Sequence, residues 1–156
     1  MLLMAAMMLM TLAASAQDGK MAVGVNVDYG TANGYNALGL GAKFQYEFVE
    51  KVRGEASFNY FLPKNHFNVW DLNVNFHYLV PLGDKANFYP LLGLAYQTAR
   101  VSYGGYSASD GNLGVNAGVG AECFVASNIK LNAEIKYQYV KDGDWPVFSV
   151  GAAYVF

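Results

Sequence analysis

The segment IKLNAEIKYQY, residues 129–139, decides the fold because apolar and polar residues alternate along it without exception. The polar parity carries Lys130, Asn132, Glu134, Lys136 and Gln138, and the other parity carries only aliphatic and aromatic side chains. A period of two is typical of a β-strand whose two faces meet different surroundings. We therefore predict a strand over these residues.

The same alternation recurs along most of the chain. It predicts seven further strands, over 21–29, 38–48, 52–62, 70–80, 88–98, 113–123 and 148–156. The strand over 88–98 is less regular, because Tyr89 and Leu91 fall on its polar parity and Pro90 lies near its start. Proline is tolerated there because the first residues of a strand need not complete the ladder.

The predicted connections between strands are of two kinds. Three are tight turns, at 49–51, 81–86 and 126–128, and four are longer loops rich in Gly, Ser, Asn and Asp, at 30–36, 63–67, 100–111 and 142–146. Short turns on one rim and longer loops on the other are typical of outer-membrane barrels. An even number of strands then places both termini on the periplasmic side and the loops outside.

Composition excludes several other classes of protein. The chain has 156 residues, enough for one domain, with 54% hydrophobic and only 14% charged residues, whereas about a quarter of residues are charged in soluble domains. A net charge of −2 gives no basic surface for nucleic acid, so no nucleic-acid partner is expected. Cys123 is the only cysteine, which excludes a disulfide framework.

The charged side chains and the strand histidine identify the face that meets lipid. Within the predicted strands they all take the polar parity: Asp28, Lys43, Glu47, Arg53, Glu55, Asp71, His77, Glu122, Lys130, Glu134 and Lys136. A soluble core would be equally free of charge, so side-chain volume decides. The interior of an eight-stranded barrel is only just wide enough to be filled by side chains, and the many Phe, Tyr, Trp and Leu residues of the apolar parity would overfill it.

These observations predict an all-β fold, an eight-stranded antiparallel up-and-down transmembrane β-barrel over residues 17–156. The first and last strands must pair, since an open sheet edge in hydrocarbon leaves backbone groups unsatisfied. Residues 1–16 are predicted to be a signal peptide, because an apolar run precedes the small residues Ala14-Ser15-Ala16. The alternative is an N-terminal membrane anchor.

The chain resembles the small outer-membrane β-barrels of the OmpX, OmpW and OmpA-barrel type. The most specific part is the last strand, which ends in Phe156 with Tyr154 on the same face. The resemblance implies that these two residues form the signal read by the barrel-assembly machinery, and that outer-membrane lipid surrounds the protein. Alternatively, Phe156 simply ends a lipid-facing strand.

The polar network of the lumen supports three hypotheses about function. Charges of both signs suggest pairs that fill the lumen and block flow, since buried ions are tolerated only when paired and hydrogen-bonded. This favours a structural or surface-interaction barrel without catalysis. The alternatives are an OmpW-like narrow channel for small or hydrophobic solutes and, less favoured, a lipid-modifying enzyme.

No catalytic, cofactor or metal site is expected. Some outer-membrane barrels that act on lipids carry a serine and a histidine on the lipid face. Here His77 takes the lumen parity, His66 lies in a loop, and neither has a serine two residues on.

The loop 100–111 contains Tyr, Ser and Gly, which form adaptable contact surfaces in binding loops, so it is a candidate site for a surface ligand. Alternatively, it is a solvated loop tip.

Overall fold

The computed structural model describes residues 21–32, 34–64, 67–141 and 143–156. The predicted signal peptide and His66 lie outside these residues. Within them, no helix is long and apolar enough to cross a membrane.

The described residues are almost entirely β-strand. The strands are β1 Met21–Ala32, β2 Tyr35–Val49, β3 Val52–Lys64, β4 Phe67–Tyr78, β5 Val80–Pro81, β6 Ala86–Tyr103, β7 Tyr106–Phe124, β8 Ile129–Val140 and β9 Trp145–Val155. Only Leu79 separates β4 from β5, and both pair with β6. β4 and β5 therefore act as one strand, which gives an eight-stranded barrel.

Every pair of neighbouring strands is antiparallel, and the sheet closes on itself. Sequence neighbours pair in order, β1 pairs with β9, and β4 pairs with β6. The predicted pairing of the first and last strands is confirmed by a register that runs from Ala22 opposite Val155 to Gly30 opposite Val147. The up-and-down barrel is thus confirmed.

Side-chain burial alternates along the strands as the sequence predicts. Leu94 and Val25 on the apolar parity are each 64% exposed, whereas Asp71 and Asn75 on the polar parity are fully buried. Such a molecule is inverted relative to a soluble protein, with its apolar side chains outside and its polar ones inside. A surface of this kind requires hydrocarbon around it.

The prediction of four longer loops is wrong for most of the residues involved, which extend the strands, whereas Gly143 and Asp144 of the predicted 142–146 loop do lie outside any strand. β6 and β7 remain paired as far as Tyr103 opposite Tyr106, so 100–111 is a hairpin rather than a loop. Gly104 and Gly105 form its turn with φ angles of 54° and 80°, and two positive φ angles define the turn that suits a twisted hairpin. Outside the bilayer both faces of a hairpin meet water, so the apolar alternation that reveals a strand is lost.

The two ends of the barrel are named here by their connections. The turn end carries the Glu50–Lys51, Leu82–Lys85 and Val125–Asn128 turns, and the hairpin end carries the Gly104–Gly105 turn. β7 pairs with β8 only from Gly114 onward. The β6–β7 hairpin therefore projects beyond β8 at the hairpin end.

Candidate functional site

At the turn end, a cluster of charged side chains bridges opposite walls of the barrel. Arg53 on β3 places its Nη1 2.9 Å from both carboxylate oxygens of Glu122 on β7. Lys130 Nζ lies 3.2 Å from Glu122 Oε2, and Asn87 donates to Glu122 Oε1 at 3.2 Å. The Glu122 carboxylate thus accepts hydrogen bonds from three side chains, and these bonds offset the cost of removing its charge from water.

An aromatic ring lies against this cluster. Tyr89 stacks on His77, with ring centroids 4.6 Å apart and an interplanar angle of 12°. The Arg53 guanidinium carbon lies 5.0 Å from the centroid of the Tyr89 ring, within the range of a cation–π contact. The Tyr89 hydroxyl donates to Glu134 at 3.1 Å. Tyr89 therefore connects the charged cluster to the middle of the lumen.

The middle of the lumen contains a group with the spacing of a metal site. Glu55, His77 and Glu134 each offer a ligand atom, and these atoms lie within 4.8 Å of one another. However, Arg53 Nε and Nη2 approach His77 Nδ1 at 3.2 and 2.9 Å. Because arginine only donates, Nδ1 must accept and the ring proton must sit on Nε2. A protonated Nε2 cannot ligate a metal, so the hydrogen bonding disfavours an ion here.

Toward the hairpin end, amide side chains replace most of the charges. Asp71 accepts from Asn59 at 2.8 Å, from Asn73 at 2.6 Å and from Gln138 at 3.2 Å. Asn116 on β7 reaches Asn73 and Asn75 on β4, at 2.8 and 2.9 Å. The bonds made by Gln138 on β8 and by Asn116 on β7 connect these strands to β4, which is not their neighbour in the sheet.

A second carboxylate, Asp28, is held in the same part of the lumen. It accepts hydrogen bonds from Ser149 and from Asn26, the latter at 2.5 Å. Asn26 also donates to Asn59 at 3.1 Å. Asp28 and Asp71 therefore belong to one network of amides rather than to salt bridges.

Little space remains between these side chains. The void between Asn26, Lys43, Glu55 and Lys136 measures about 10 Å³, near the lower limit for one water molecule. Inward-facing glycines allow this density. A Cβ atom on Gly41, for example, would lie 2.1 Å from Asn59 Oδ1.

The hairpin end of the lumen is apolar, which the sequence analysis did not predict. Phe61 and Trp145 are buried there, with ring centroids 4.7 Å apart, together with Ala37, Val69 and Val147. The Trp145 indole donates to Gln138 at 2.9 Å, which joins this aromatic layer to the amide network below it.

The structure brings the charged residues singled out in the sequence into the lumen. Ten of those residues are buried, namely Asp28, Lys43, Arg53, Glu55, Asp71, His77, Glu122, Lys130, Glu134 and Lys136, while Glu47 is half-buried. Lys43 donates to Asn132 at 2.6 Å. Any functional role for this set remains a prediction. The same holds for Tyr154 and Phe156, whose rings lie 6.0 Å apart.

Sequence reasoning missed the uncharged members of the network. Asn116, Gln138 and Asn75 are fully buried and bridge strands. Their polar parity was the available signal, but an uncharged amide is less diagnostic of a buried polar face than a charged side chain is. Phe61 also lies on the parity opposite to Tyr60 and Leu62, and Trp145 lies in a segment predicted as a loop.

The closed antiparallel barrel, its apolar exterior and its hydrogen-bonded polar interior define a transmembrane β-barrel. A family model described as outer membrane protein beta-barrel domain matches residues 2–156. The chain therefore belongs to the outer membrane protein beta-barrel domain family and is a protein of the Gram-negative outer membrane. Comparison with curated protein sequences gives no match.

Solved structures support the same fold. Neisserial surface protein A is similar with a TM-score of 0.74 and 17% identity, covering 89% of this chain and 98% of that one. Ail, the attachment invasion locus protein of Yersinia pestis, gives 0.66 and 21%, covering 88% and 97%. The N-terminal β-barrel domain of Pseudomonas aeruginosa OprF gives 0.66 and 18%, covering 86% and 97%. At these identities the likeness establishes the fold alone.

Proposed function

We propose that the protein is a non-catalytic surface barrel with a closed lumen, which presents its hairpin end to the outside of the cell. One observation carries this proposal: side chains from opposite walls are hydrogen-bonded to each other across the lumen and leave a void of only about 10 Å³ between Lys43, Glu55 and Lys136.

The bonds that fill the lumen lie at several heights. Arg53 and Glu122 join β3 to β7 near the turn end, and Asn116 joins β7 to β4 in the other half. The aromatic layer of Phe61 and Trp145 lies above both. A solute would have to separate all of these groups, and leaving a buried polar atom unsatisfied costs about 1–3 kcal/mol.

Conductance in planar bilayers tests the closed lumen. We expect no discrete openings from the wild-type protein over the voltage range that the bilayer tolerates. The matched variant carries Phe61→Gly, Trp145→Gly and Asn116→Gly, which remove the aromatic layer and one amide bridge. Openings from this folded variant alone support the proposal. Reproducible openings from the wild type contradict it and favour the narrow channel.

Labelling of intact cells tests the orientation. Single cysteines are placed in the Gly104–Gly105 turn and, for comparison, in the Leu82–Lys85 turn, each in a Cys123→Ala background. We expect a membrane-impermeant thiol reagent to label the first site and to label the second only after the cells are permeabilised. The reverse pattern contradicts the proposed orientation.

The arrangement of His77 supports the proposed lack of catalysis. Its Nδ1 accepts hydrogen bonds from Arg53, so this nitrogen is not free to take a proton from a nucleophile. We expect unchanged lipid A and phospholipids in cells that overproduce the protein. A modified lipid that disappears with His77→Ala would overturn this part of the proposal.

Docking on the barrel-assembly machinery through Tyr154 and Phe156 is proposed as well.

A further inference from the structure

The hairpin end of the barrel contains a cavity that is separate from the filled part of the lumen. It has a volume of about 440 Å³ and opens above the aromatic layer, a size within the range of small-molecule sites. Tyr35 and Phe67 form one wall, with Trp145 at its base. We refer to this cavity as the mouth cup.

The aromatic side chains of the mouth cup are held by contacts with one another. The Tyr35 ring packs edge-on against Phe67, with centroids 5.2 Å apart, and lies nearly parallel to Trp145 at 6.2 Å. Trp145 is held in turn by its hydrogen bond to Gln138. An aromatic wall fixed in this way offers a preformed surface to an apolar face of a ligand, without loss of side-chain entropy.

The opposite side of the mouth cup is polar and carries both signs of charge. Asp110 and Asn112 come from the projecting β7, Lys141 and Asp144 come from the connection between β8 and β9, and Gln97 lies between them. These groups include donors that cannot accept and acceptors that cannot donate. A ligand that satisfies both kinds must itself carry several groups that donate and accept.

The Tyr35 hydroxyl supplies an independent sign of an unfilled site. Its oxygen is buried and has no hydrogen-bond partner among the described residues. A buried hydroxyl without a partner costs free energy, and the Tyr35 side chain lines the mouth cup. A ligand hydroxyl that displaced the atoms now covering this oxygen would satisfy it.

We propose that the mouth cup binds a neutral saccharide ring of an extracellular glycan. A pyranose has an apolar C–H face that packs on aromatic rings, and its rim of hydroxyl groups both donates and accepts. The Asp144 carboxylate already accepts from the Tyr137 hydroxyl at 2.6 Å. The opposite charges of Asp110 and Lys141 then favour a neutral ligand over an anion or a cation. This inference rests on the proposed outward orientation of the hairpin end. It specifies which class of ligand the proposed surface barrel would bind.

Nuclear magnetic resonance of the Trp145 indole N–H tests the proposal in the intact barrel. The protein is placed in nanodiscs of phosphatidylethanolamine and phosphatidylglycerol, which contain neither sugars nor choline, with Trp70→Phe to leave one indole signal. The probes are the methyl glycosides of glucose, galactose and N-acetylglucosamine. We expect a saturable shift of the indole signal with at least one of them.

Two pairs of variants localise the binding. Tyr35→Leu and Asp110→Asn are each expected to weaken binding about tenfold, as loss of one good contact does. The controls are Tyr139→Leu on the lipid-facing surface and Asp84→Asn at the turn end, and both should bind as the wild type does. Equal binding by Tyr35→Leu and its control would overturn the site.

Other outcomes separate the ligand class and its source. No shift with any glycoside, or a shift with tetramethylammonium alone, would overturn the saccharide assignment. A shift already present in nanodiscs that contain lipopolysaccharide would identify the protein's own membrane as the source of the glycan. If cysteine labelling showed the opposite orientation while glycosides still bound, the proposed function would be contradicted. The assignment of the mouth cup as a saccharide site would remain supported.

Discussion

Arg53 Nη1 on β3 lies 2.9 Å from both carboxylate oxygens of Glu122 on β7, so one ion pair spans the lumen between strands that are not neighbours. Both side chains are almost completely buried. The pair links two opposite walls of the barrel. Arg53 also contacts His77 Nδ1, and Glu122 also contacts Lys130, so the positions of both neighbours depend on the pair.

Breaking that ion pair should destabilise the barrel strongly. Glu122→Ala leaves Arg53 and Lys130 without their carboxylate, and loss of one partner of a buried pair costs about 3–5 kcal/mol. Urea-induced unfolding in lipid vesicles measures the change in free energy. The control Lys85→Ala, in an exposed turn, should have almost no effect. The triple variant Arg53→Met, Glu122→Leu, Lys130→Met leaves no lone charge in this cluster and should recover much of the loss. A triple variant no better than Glu122→Ala would contradict the model of a costly lone charge.

Arginine on the lipid face should also reduce stability, and by an amount that depends on depth. Leu94 is 64% exposed on the outer surface of β6, and Arg at the bilayer midplane costs about 2–4 kcal/mol. Leu94→Arg should therefore fold inefficiently into vesicles. Leu82→Arg, at an exposed turn residue, should fold almost normally. Equal folding yields for the two variants would place Leu94 away from lipid.

Removing a single hydroxyl group tests the link between Tyr89 and the middle of the lumen. Tyr89→Phe loses the hydrogen bond to Glu134 and leaves a buried carboxylate with one partner fewer, which costs about 1–3 kcal/mol. Tyr78→Phe is the matched control, since Tyr78 is 52% exposed on the outer surface. Unfolding free energies that fall equally for both variants would show that the hydroxyl of Tyr89 has no special role.

The turn between β2 and β3 offers a stabilising change. Lys51 has a φ angle of 71°, a left-handed conformation that costs a side-chain-bearing residue about 1–2 kcal/mol. Lys51→Gly removes this strain, while the backbone hydrogen bond from Leu79 to Lys51 is retained. We expect a higher midpoint of thermal unfolding. The same change at Lys85, which has no positive φ, should lower the midpoint slightly, and a lower midpoint for Lys51→Gly would count against the strain.

Parity along the chain was sufficient to predict the central part of each strand and the face on which each charge lies, but not the extensions of the strands at the hairpin end. Lys130, Asn132, Glu134 and Lys136 occupy successive alternate positions, so any strand conformation places them on one side. Parity does not determine how far along the barrel axis each side chain lies. Arg53 meets Glu122 because the start of β3 and the end of β7 lie at related levels of a tilted barrel, and this depends on the register of every strand pair between them.

The inward aromatic residues were harder to predict for a different reason. Phe61 and Trp145 break the rule that the lumen parity is polar, and they do so at the level of the hairpin end, where the polar network gives way to an apolar layer. A pattern rule built on the charged strands assigns such residues to lipid or to a loop. The mouth cup therefore could not be anticipated, since its base is Trp145 and its wall is formed by Tyr35 and Phe67, which lie in segments predicted as loops.

Contacts between the lipid acyl chains and individual side chains test the central claim most directly. In nanodiscs, nuclear Overhauser effects from the lipid methylene protons should reach the methyl groups of Leu94 and Val119. They should be absent at the side-chain amides of Asn75 and Asn116, which are fully buried in the lumen. Lipid contacts at these amides, with none at Leu94 or Val119, would contradict an apolar exterior around a filled polar interior.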